Sequence, residues 1–196
     1  MNDERERLVG YLAILGLEAP PTIPDQLLRY AAELVRWSRR VDLTGARDLA
    51  GFVAGPLADA LTLVPSLPAT GRLVDVGSGG GLPGIPAKIL VPGLEVTLVE
   101  PRARRCAFLR HVTALLGLEV TIVEGRDEVL PDAGFDLAVA EAVWSPEEWL
   151  PRGRRLVRPG GTVFVLAAAP PPAGTPFACR AHLLRAGQTR YVWSVD

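Results

Sequence analysis

The sequence has few of the residues that form cross-links or hold metals. Cys106 and Cys179 are its only cysteines in 196 residues, they lie far apart, and neither belongs to a CxxC motif. This pattern indicates neither a disulfide framework nor a zinc site, and it fits a reducing interior. The only histidines, His111 and His182, stand in no triad or ligand spacing. We therefore expect both to be structural or exposed, and we predict no metal.

An excess of charge of one sign is also missing. The formal net charge is −1, from 21 basic and 22 acidic residues, so there is no global basic field to attract nucleic acid, and RNA contact must come from local patches. The charged start "MNDERERLVG" is not a signal peptide, and no apolar run looks long enough to span a membrane. These features predict a soluble, cytoplasmic monomer with neither membrane nor DNA as a partner.

The first third of the chain has the periodicity of helices. Apolar residues recur at helical spacing from Leu8 to Leu15 and again from Leu27 to Trp37, and the stretch "GLEAPPTIP" separates the two runs. Asp25 is the expected N-cap of the second helix. With 48% hydrophobic residues, the chain can bury one main core.

From Leu73 onward strands and helices alternate, which predicts a parallel sheet covered by helices. The expected strands are "RLVDV", "EVTLVE", "EVTIVE", "DLAVAEA" and "TVFVL". The expected helices lie near Ala87, from Arg102 to Leu116 with Gly117 as the stop, and after a capping box formed by Ser145 and Glu148. "RPGG" is expected to turn into the fifth strand. The stretch "AAAPPPAGTP" is expected to be irregular, and "RAHLL" and "RYVWSV" to form a hairpin about Gly187.

The stretch "LVDVGSGGGLPGIP" fits two kinds of ligand loop. Gly79, Gly81 and Gly84 match the G-x-G-x-x-G of a dinucleotide site, whereas Gly77, Gly79 and Gly81 match the G-x-G-x-G associated with S-adenosylmethionine. Both patterns place a sharp turn after a buried strand, followed by a helix whose first amides face an anion. An ordinary strand-to-helix turn is the alternative.

Two acids favour a ligand over an ordinary turn. Asp75 precedes the glycines, and Glu100 ends the next strand, where such folds place the carboxylate that holds a ribose. Three observations favour S-adenosylmethionine over NAD: Asp75 lies within the first strand, the chain has no room for a separate substrate domain, and the sheet closes with an antiparallel hairpin. A solvated carboxylate at a strand end is the alternative for Glu100.

The sequence also resembles a known family. The stretches "RYAAELVRWSRRVDLTGARD", "VDVGSGGGLPGIP", "VEPRARRCAFLRHV" and "EGRDE" are similar to those of the bacterial small-subunit ribosomal RNA methyltransferase G, or glucose-inhibited division protein B. The resemblance runs from about Leu27 to Leu166, and its most specific part is the "LPGIP" that continues the glycine loop. It implies methylation of N7 of one guanine in small-subunit ribosomal RNA, with S-adenosylmethionine as cofactor.

With the resemblance, the fold class becomes α/β, a mostly parallel Rossmann-like class I methyltransferase sheet with a C-terminal antiparallel hairpin. The expected domain division is an N-terminal helical extension (1–65) packed on an S-adenosylmethionine-binding domain (66–196). The resemblance implies that Gly77 and Leu82 line the cofactor, that Glu100 holds its ribose, and that Asp127 and Glu128 lie beside its adenine. The full set of expected cofactor residues is Asp75, Gly77, Gly79, Gly81, Leu82, Glu100, Asp127 and Glu128.

The chain departs from the family at three places, and no catalytic residue can be assigned. Glu141 stands where the family usually carries an arginine, and a carboxylate there would attract a sulfonium and repel RNA phosphate. The family usually carries Arg-His where this chain has Gly55 and Pro56, Arg-Ala where it has Glu141 and Ala142, and Lys-Gly where it has Ala167 and Ala168. Ala142 therefore matches the family pattern.

RNA contacts would need local cations and aromatic rings. The candidates form two patches, one of Arg36, Arg39 and Arg40 and one of Arg102, Arg104 and Arg105. Solvated helix faces are an equally good interpretation of each patch. Trp144 follows the fourth strand and could stack on a purine, although packing against the next helix is more ordinary, and Trp37 requires the same caution.

Three hypotheses follow from the sequence. The first is a methyltransferase acting on guanine N7 in small-subunit ribosomal RNA or the assembled subunit. The second is an S-adenosylmethionine-binding protein of the same fold that has lost or exchanged its RNA substrate. The third and weakest is a small NAD-binding oxidoreductase.

Overall fold

The structure is a computed structural model that describes residues 2–185 and 188–195. Its helices are α1 (Asn2–Ile14), α2 (Thr22–Ser38), α3 (Leu49–Phe52), α4 (Ala58–Leu61), α5 (Gly84–Leu90), α6 (Ala103–Leu116) and α7 (Pro146–Leu156). Its strands are β1 (Gly71–Val76), β2 (Leu94–Glu100), β3 (Val120–Glu124), β4 (Phe135–Ala140), β5 (Val157–Ala167), β6 (Ala178–Arg185) and β7 (Gln188–Val195).

The strands form one sheet in the order β3-β2-β1-β4-β5-β7-β6. Strands β1 to β5 pair in parallel, and β7 runs antiparallel between β5 and β6. The predicted fold class is therefore confirmed. The order reverses between β1 and β4, and in open α/β sheets ligands bind at the carboxyl ends of the strands beside such a reversal. The glycine loop follows β1, so it lies at this point.

The apolar strand runs are explained by burial on both faces of the sheet. Leu73 and Val74 in β1 are fully buried and point to opposite faces, as successive strand residues do. The cluster that contains Leu73 also contains residues of α1 and α2, such as Leu8 and Leu34. The N-terminal helices thus share a core with the sheet, while a domain boundary at residue 65 stays a prediction.

The expected N-cap at Asp25 is wrong. Helix α2 begins at Thr22, with Pro21 as its N-cap residue and no side-chain cap. The fixed φ of proline suits a helix start, so the proline-rich segment begins the helix one turn earlier than the cap pattern indicated. Asp25 lies in the first turn, and its Oδ1 accepts a hydrogen bond from Nε of Arg5 at 2.7 Å.

The segment Leu49–Ser66 differs from the sequence-based expectation. It contains α3, a π-helical turn over Val53–Leu57 that includes Pro56, α4 and a 3₁₀ turn over Val64–Ser66. By length and composition alone these 18 residues are apolar enough to cross a membrane, and half of them are buried in the protein. Phe52 and Leu57 pack in the main core, which accounts for the apolar composition without a membrane.

The later elements mostly follow the predictions. Oγ of Ser145 accepts from the Glu148 amide at 3.3 Å, and Oε2 of Glu148 accepts from the Ser145 amide at 3.1 Å, so the predicted capping box is confirmed. Gly117 ends α6 in the left-handed region. "RPGG" is not a turn before the strand, because β5 begins at Val157 and contains it. The hairpin of β6 and β7 is confirmed, and Gly187 lies outside the described residues.

The substitution Tyr30→Phe tests how α2 supports the sheet. The Tyr30 hydroxyl is buried and donates a hydrogen bond to the carbonyl oxygen of Gly80 at 2.7 Å. Removing the donor leaves this carbonyl unpaired, so we expect the free energy of unfolding to fall by about 1–3 kcal/mol, measured by urea denaturation. The matched control is Tyr11→Phe, since the Tyr11 hydroxyl has no such bond among the described residues. Equal effects of the two changes would contradict this role of Tyr30.

Candidate functional site

The glycine loop turns sharply at the end of β1. The amides of Gly77 and Ser78 both donate to the carbonyl oxygen of Val99, at 2.8 and 3.0 Å. Gly77 has a φ of 78°, a region that disfavours side chains, and a Cβ there would clash with Cγ2 of Val143. The predicted turn is therefore present, and glycine is required at 77 both by its backbone angle and by Val143.

The helix after the loop does not offer a free amide at its start. The amide of Gly84, the first residue of α5, donates to Oδ2 of Asp75 at 3.0 Å. Asp75 is fully buried, and burial, with the nearby charge of Glu141, raises its pKa well above the ordinary range. The protein's own carboxyl group, whose raised pKa favours the neutral form, thus takes the place of the anion expected at this helix. The structure places Asp75 beneath the loop, and its predicted contact with a cofactor stays a prediction.

Glu100 holds the glycine loop against the start of α6. Its Oε2 accepts from the Gly79 amide at 3.0 Å, and its Oε1 accepts from the Arg102 amide at 2.9 Å. Nη1 of Arg105 lies 3.9 Å from Oε2, and Glu100 is only 2% exposed. It is therefore not a solvated strand end. Each carboxylate oxygen has a second lone pair, so both keep the capacity to accept from a ligand hydroxyl.

A pocket of about 230 Å³ opens beside the loop, between the ends of β1, β2 and β4. Its lining residues are Val76, Gly77, Pro101, Gly125, Arg126, Asp127, Val143 and Trp144. Of the eight predicted cofactor residues, this set contains two, Gly77 and Asp127. Gly81 instead packs against Ile85 and Leu109, and Leu82 packs against the main core.

Asp127 lies at one end of this pocket and is paired within the protein. It is 2% exposed, and Nη1 of Arg152 lies 3.0 and 2.9 Å from its two carboxylate oxygens. The same nitrogen lies 3.4 Å from Oε1 of the exposed Glu128. The two acids predicted beside an adenine are therefore held together by one arginine of α7.

Val143 was not among the predicted site residues, and Trp144 was predicted only as a ring that could stack on a purine, not as a wall of the cofactor pocket. Both follow β4 and line the pocket beside Gly77. The Trp144 ring stacks on Trp149 of α7 with ring centroids 5.7 Å apart, and the Arg152 guanidinium lies 5.1 Å from its centroid. Packing against the next helix, the more ordinary alternative, is thus present. Two apolar residues in the short segment between β4 and the Ser145 cap were the signal that could have identified this wall.

A second pocket, of about 180 Å³, lies across the end of β4 from the first. It contains three of the five residues that the sequence comparison marked as departures, Glu141, Ala167 and Ala168; its lining residues are Asp59, Thr62, Glu141, Ala142, Leu166, Ala167, Ala168 and Arg190. Nη2 of Arg190 lies 2.9 Å from Oδ2 of Asp59. Oε2 of Glu141 is shielded from solvent and has no hydrogen-bond partner among the described residues.

Glu141 does not carry the fixed negative charge expected from the sequence. Burial and the neighbouring charge of Asp59 raise its pKa from 4.5 to about 7, and Arg190 offsets part of this effect. The group is therefore about half protonated near neutral pH, and its repulsion of phosphate is correspondingly weaker than a full carboxylate charge implies.

The structure divides the predicted RNA contacts into exposed and internally paired residues. Arg36 pairs with Glu33, and Arg105 pairs with Asp42 at 3.1 Å. Arg102 approaches the same Asp42 at 3.8 Å, so these ion pairs join the second patch to the segment that follows α2. The remaining candidates are exposed and have no ion pair within residues 2–185 and 188–195; they are Arg39, Arg40 and Arg104.

The two histidines and Trp37 are packed against other side chains of the protein. The Trp37 ring lies 5.2 Å from the His111 ring. Nε1 of Trp37 donates to Oε1 of Glu33 at 3.0 Å, and Nε2 of His111 lies 2.6 Å from the same oxygen. His182 is half-buried in β6, and burial lowers its pKa. The structural interpretation of His111 is confirmed, and Trp37 belongs to the contact between α2 and α6.

Known proteins resemble this chain over most of its length. The family described as rRNA small subunit methyltransferase G matches residues 23–172. A ribosomal RNA small subunit methyltransferase G of Neisseria meningitidis is 34% identical over 160 residues, covering 81% of this chain and 77% of the relative. A ribosomal RNA small subunit methyltransferase G of Stenotrophomonas maltophilia is 40% identical over 162 residues, covering 82% of this chain and 75% of the relative.

Solved structures share the fold at low sequence identity. The precorrin-6y C5,15-methyltransferase of Geobacter metallireducens has a TM-score of 0.53 at 16% identity, covering 80% of this chain and 93% of that one. A SAM-dependent methyltransferase of Aquifex aeolicus also has a TM-score of 0.53, at 14% identity, and the match covers 70% of this chain and 90% of that one. Both support the Rossmann-like methyltransferase fold.

The substitution Glu141→Gln tests the environment of this carboxyl group. A raised folded-state pKa means that the folded protein binds the proton more tightly than the unfolded chain, so this contribution to stability is present below pH 4.5 and is lost as pH rises through about 7. We expect the variant to be more stable than the parent at pH 8, by up to about 3 kcal/mol, and equal to it near pH 4. Urea denaturation across this pH range measures the difference.

The control for this series is Glu147→Gln, the same change at an exposed glutamate of α7. It should show no comparable pH dependence. A difference between Glu141→Gln and the parent that stays constant from pH 4 to pH 8 would contradict the raised pKa.

Proposed function

The chain belongs to the ribosomal RNA small subunit methyltransferase G family, and from this premise we propose that it methylates N7 of a guanine in small-subunit ribosomal RNA, with S-adenosylmethionine as methyl donor. One observation carries the proposal: the family match spans β1 to β5, and at their carboxyl ends the glycine loop, Glu100 and an apolar pocket lie together. Family membership decides against an NAD-dependent oxidoreductase.

The residues present fit S-adenosylmethionine. When bound, it would supply an electrophilic methyl group for attack by the N7 lone pair, with the methyl–sulfur bond breaking, S-adenosylhomocysteine leaving and no proton lost. We assign the ribose hydroxyls to Glu100, whose two oxygens each keep a lone pair. We assign the adenine to the pocket between Gly77 and Asp127, whose lining is largely apolar and includes Val143 and Trp144.

The protein's remaining task is positioning, because guanine N7 has a free lone pair and needs no general base. Arg39, Arg40 and Arg104 are exposed cations that can contact RNA phosphates. They lie at the end of α2 and the start of α6, which Asp42 connects through Arg102 and Arg105. A substrate of this kind places the enzyme in the cytoplasm, with the small-subunit RNA or subunit as its partner.

A second function is favoured by the pocket around Glu141. Arg190 is the one cation that lines it within the described residues, and it is paired with Asp59, whereas the resemblance noted in the sequence implied cations at positions 141 and 167. A protein that binds S-adenosylmethionine but acts on another acceptor would show this pattern.

Glu100→Ala tests the assigned cofactor site. Hydrogen bonds to a charged acceptor contribute about 1.5–3 kcal/mol, so the variant should bind S-adenosylmethionine at least tenfold more weakly by isothermal titration. It should also lose some thermal stability, because the Gly79 and Arg102 amides lose their acceptor. The matched control is Glu124→Ala, since Glu124 is the register partner of Glu100 on β3 and is exposed. Unchanged affinity in the Glu100 variant would remove this residue from the site.

The proposed reaction is tested with small ribosomal subunits from a strain that lacks the endogenous enzyme. Labelled S-adenosylmethionine should transfer its methyl group to one guanine, and mapping should place it on N7. The double change of Arg39 and Arg40 to alanine should reduce the rate and flatten its dependence on salt, because fewer phosphate contacts release fewer counterions. Binding of S-adenosylmethionine without transfer to any subunit would contradict the first function and support the second.

A further inference from the structure

The pocket around Glu141 contains a hydrogen-bond acceptor that the described part of the protein does not use. Oε2 of Glu141 is shielded from solvent and unpartnered, although a buried acceptor without a donor costs free energy. The pocket walls come from α4, the loop after β4, the end of β5, and β7. This oxygen is therefore available to a ligand that brings a donor.

The pocket is the neighbour of the first pocket at the carboxyl edge of the sheet, which is a suitable place for an acceptor base if the first pocket holds the cofactor. Glu141 and Ala142 line the second pocket, and the next two residues, Val143 and Trp144, line the first. Glu141 is also close enough to β1 for its charge to raise the pKa of Asp75. The second pocket has a volume of about 180 Å³, below the range of about 300–1,000 Å³ of sites for drug-sized ligands. A pocket of this size suits the edge of one base.

The chemistry of the pocket matches one edge of guanine. Guanine presents two donors, N1–H and the N2 amino group, next to the O6 acceptor, whereas N7 lies on the opposite side of the purine. A carboxylate can accept from both donors at once, and flipped or single-stranded bases are commonly read on this edge. Adenine has an acceptor at N1 and cannot make the same pair.

Building on the proposed function, we propose that Glu141 is the residue that selects the target guanine, by accepting hydrogen bonds from N1–H and the N2 amino group. Arg190, which Asp59 holds at 2.9 Å, donates to O6 of the same base. This arrangement leaves N7 unblocked and free to face the methyl donor.

The proposal requires the deprotonated form of Glu141, so base recognition should strengthen as pH rises from 6 to 8. Two groups contribute charge around Glu141, Asp59 of α4 and Arg190 of β7. Asp75 of β1 also lies near it, and burial raises the pKa of Asp75, which favours its neutral form. The Tyr30 hydroxyl of α2 also interacts with Glu141 and stays protonated, since burial raises its pKa. A donor edge bound to the carboxylate favours its charged form.

The first test compares guanosine and inosine monophosphates, which differ only in the N2 amino group. In the presence of S-adenosylhomocysteine, the parent should bind the guanine nucleotide about tenfold more tightly at pH 8, as expected for one charged hydrogen bond, and with less preference at pH 6. Glu141→Gln should bind both nucleotides within twofold at either pH. The control Glu119→Gln, an exposed glutamate before β3, should behave as the parent. Equal binding of the two nucleotides by the parent overturns the proposal.

The second test separates this inference from the proposed function. Methyl transfer is measured with subunit RNA that carries guanine or inosine at the mapped position, for the parent and for Glu141→Gln. A parent preference for guanine of about tenfold in kcat/KM that is lost in the variant supports the inference. N7 methylation with the same preference in both proteins overturns it while the function stands. No methyl transfer, with nucleotide selectivity retained, contradicts the function and leaves the pocket as a guanine site.

Discussion

Four acidic side chains lie at the carboxyl edge of the sheet, and the arrangement of the site follows from how each is stabilised there. Asp75 accepts from the first amide of α5, Glu100 accepts from two loop amides, and Asp127 pairs with Arg152. Parallel strands bring these residues to one edge, where burial disfavours their charged forms unless donors are nearby. Among the described residues, Asp75 and Glu141 each keep one buried oxygen without a hydrogen-bond partner, Oδ1 and Oε2 respectively, and of the two only Glu141 lines a pocket.

This arrangement divides the edge into two pockets with different chemistry. On the β2 side of β4, paired acids and the glycine loop border an apolar pocket suited to a nucleoside. On the β5 side, an acid with a free acceptor faces an arginine that is held by a second acid. The residues from 141 to 144 contribute to both pockets, so one short loop connects the proposed cofactor site with the proposed acceptor site. The N-terminal helices support this edge, because Tyr30 of α2 bonds to the glycine loop.

Local patterns predicted the elements well, and tertiary contacts produced the differences. The Ser145 cap, the end of α6 at Gly117 and the position of Glu100 at the end of β2 depend on a few neighbouring residues, so the sequence predicted them. The pairing of Arg105 with Asp42 joins residues 63 positions apart, and no local pattern indicates it. The wall formed by Val143 depends on a loop that folds back over Gly77. The half-protonated state of Glu141 likewise arises from burial and a distant acid, which sequence spacing does not show.

Amide chemical shifts measured with and without S-adenosylhomocysteine test most directly whether the carboxyl edge of the sheet is the ligand site. We predict that the amides of Gly77, Gly79 and Arg102 shift strongly, because they belong to the loop and helix start that surround the nucleoside pocket. The amino edge offers a larger groove, of about 360 Å³, near Lys88 and Glu95. Shifts confined to that groove, with the glycine loop unchanged, would contradict the account.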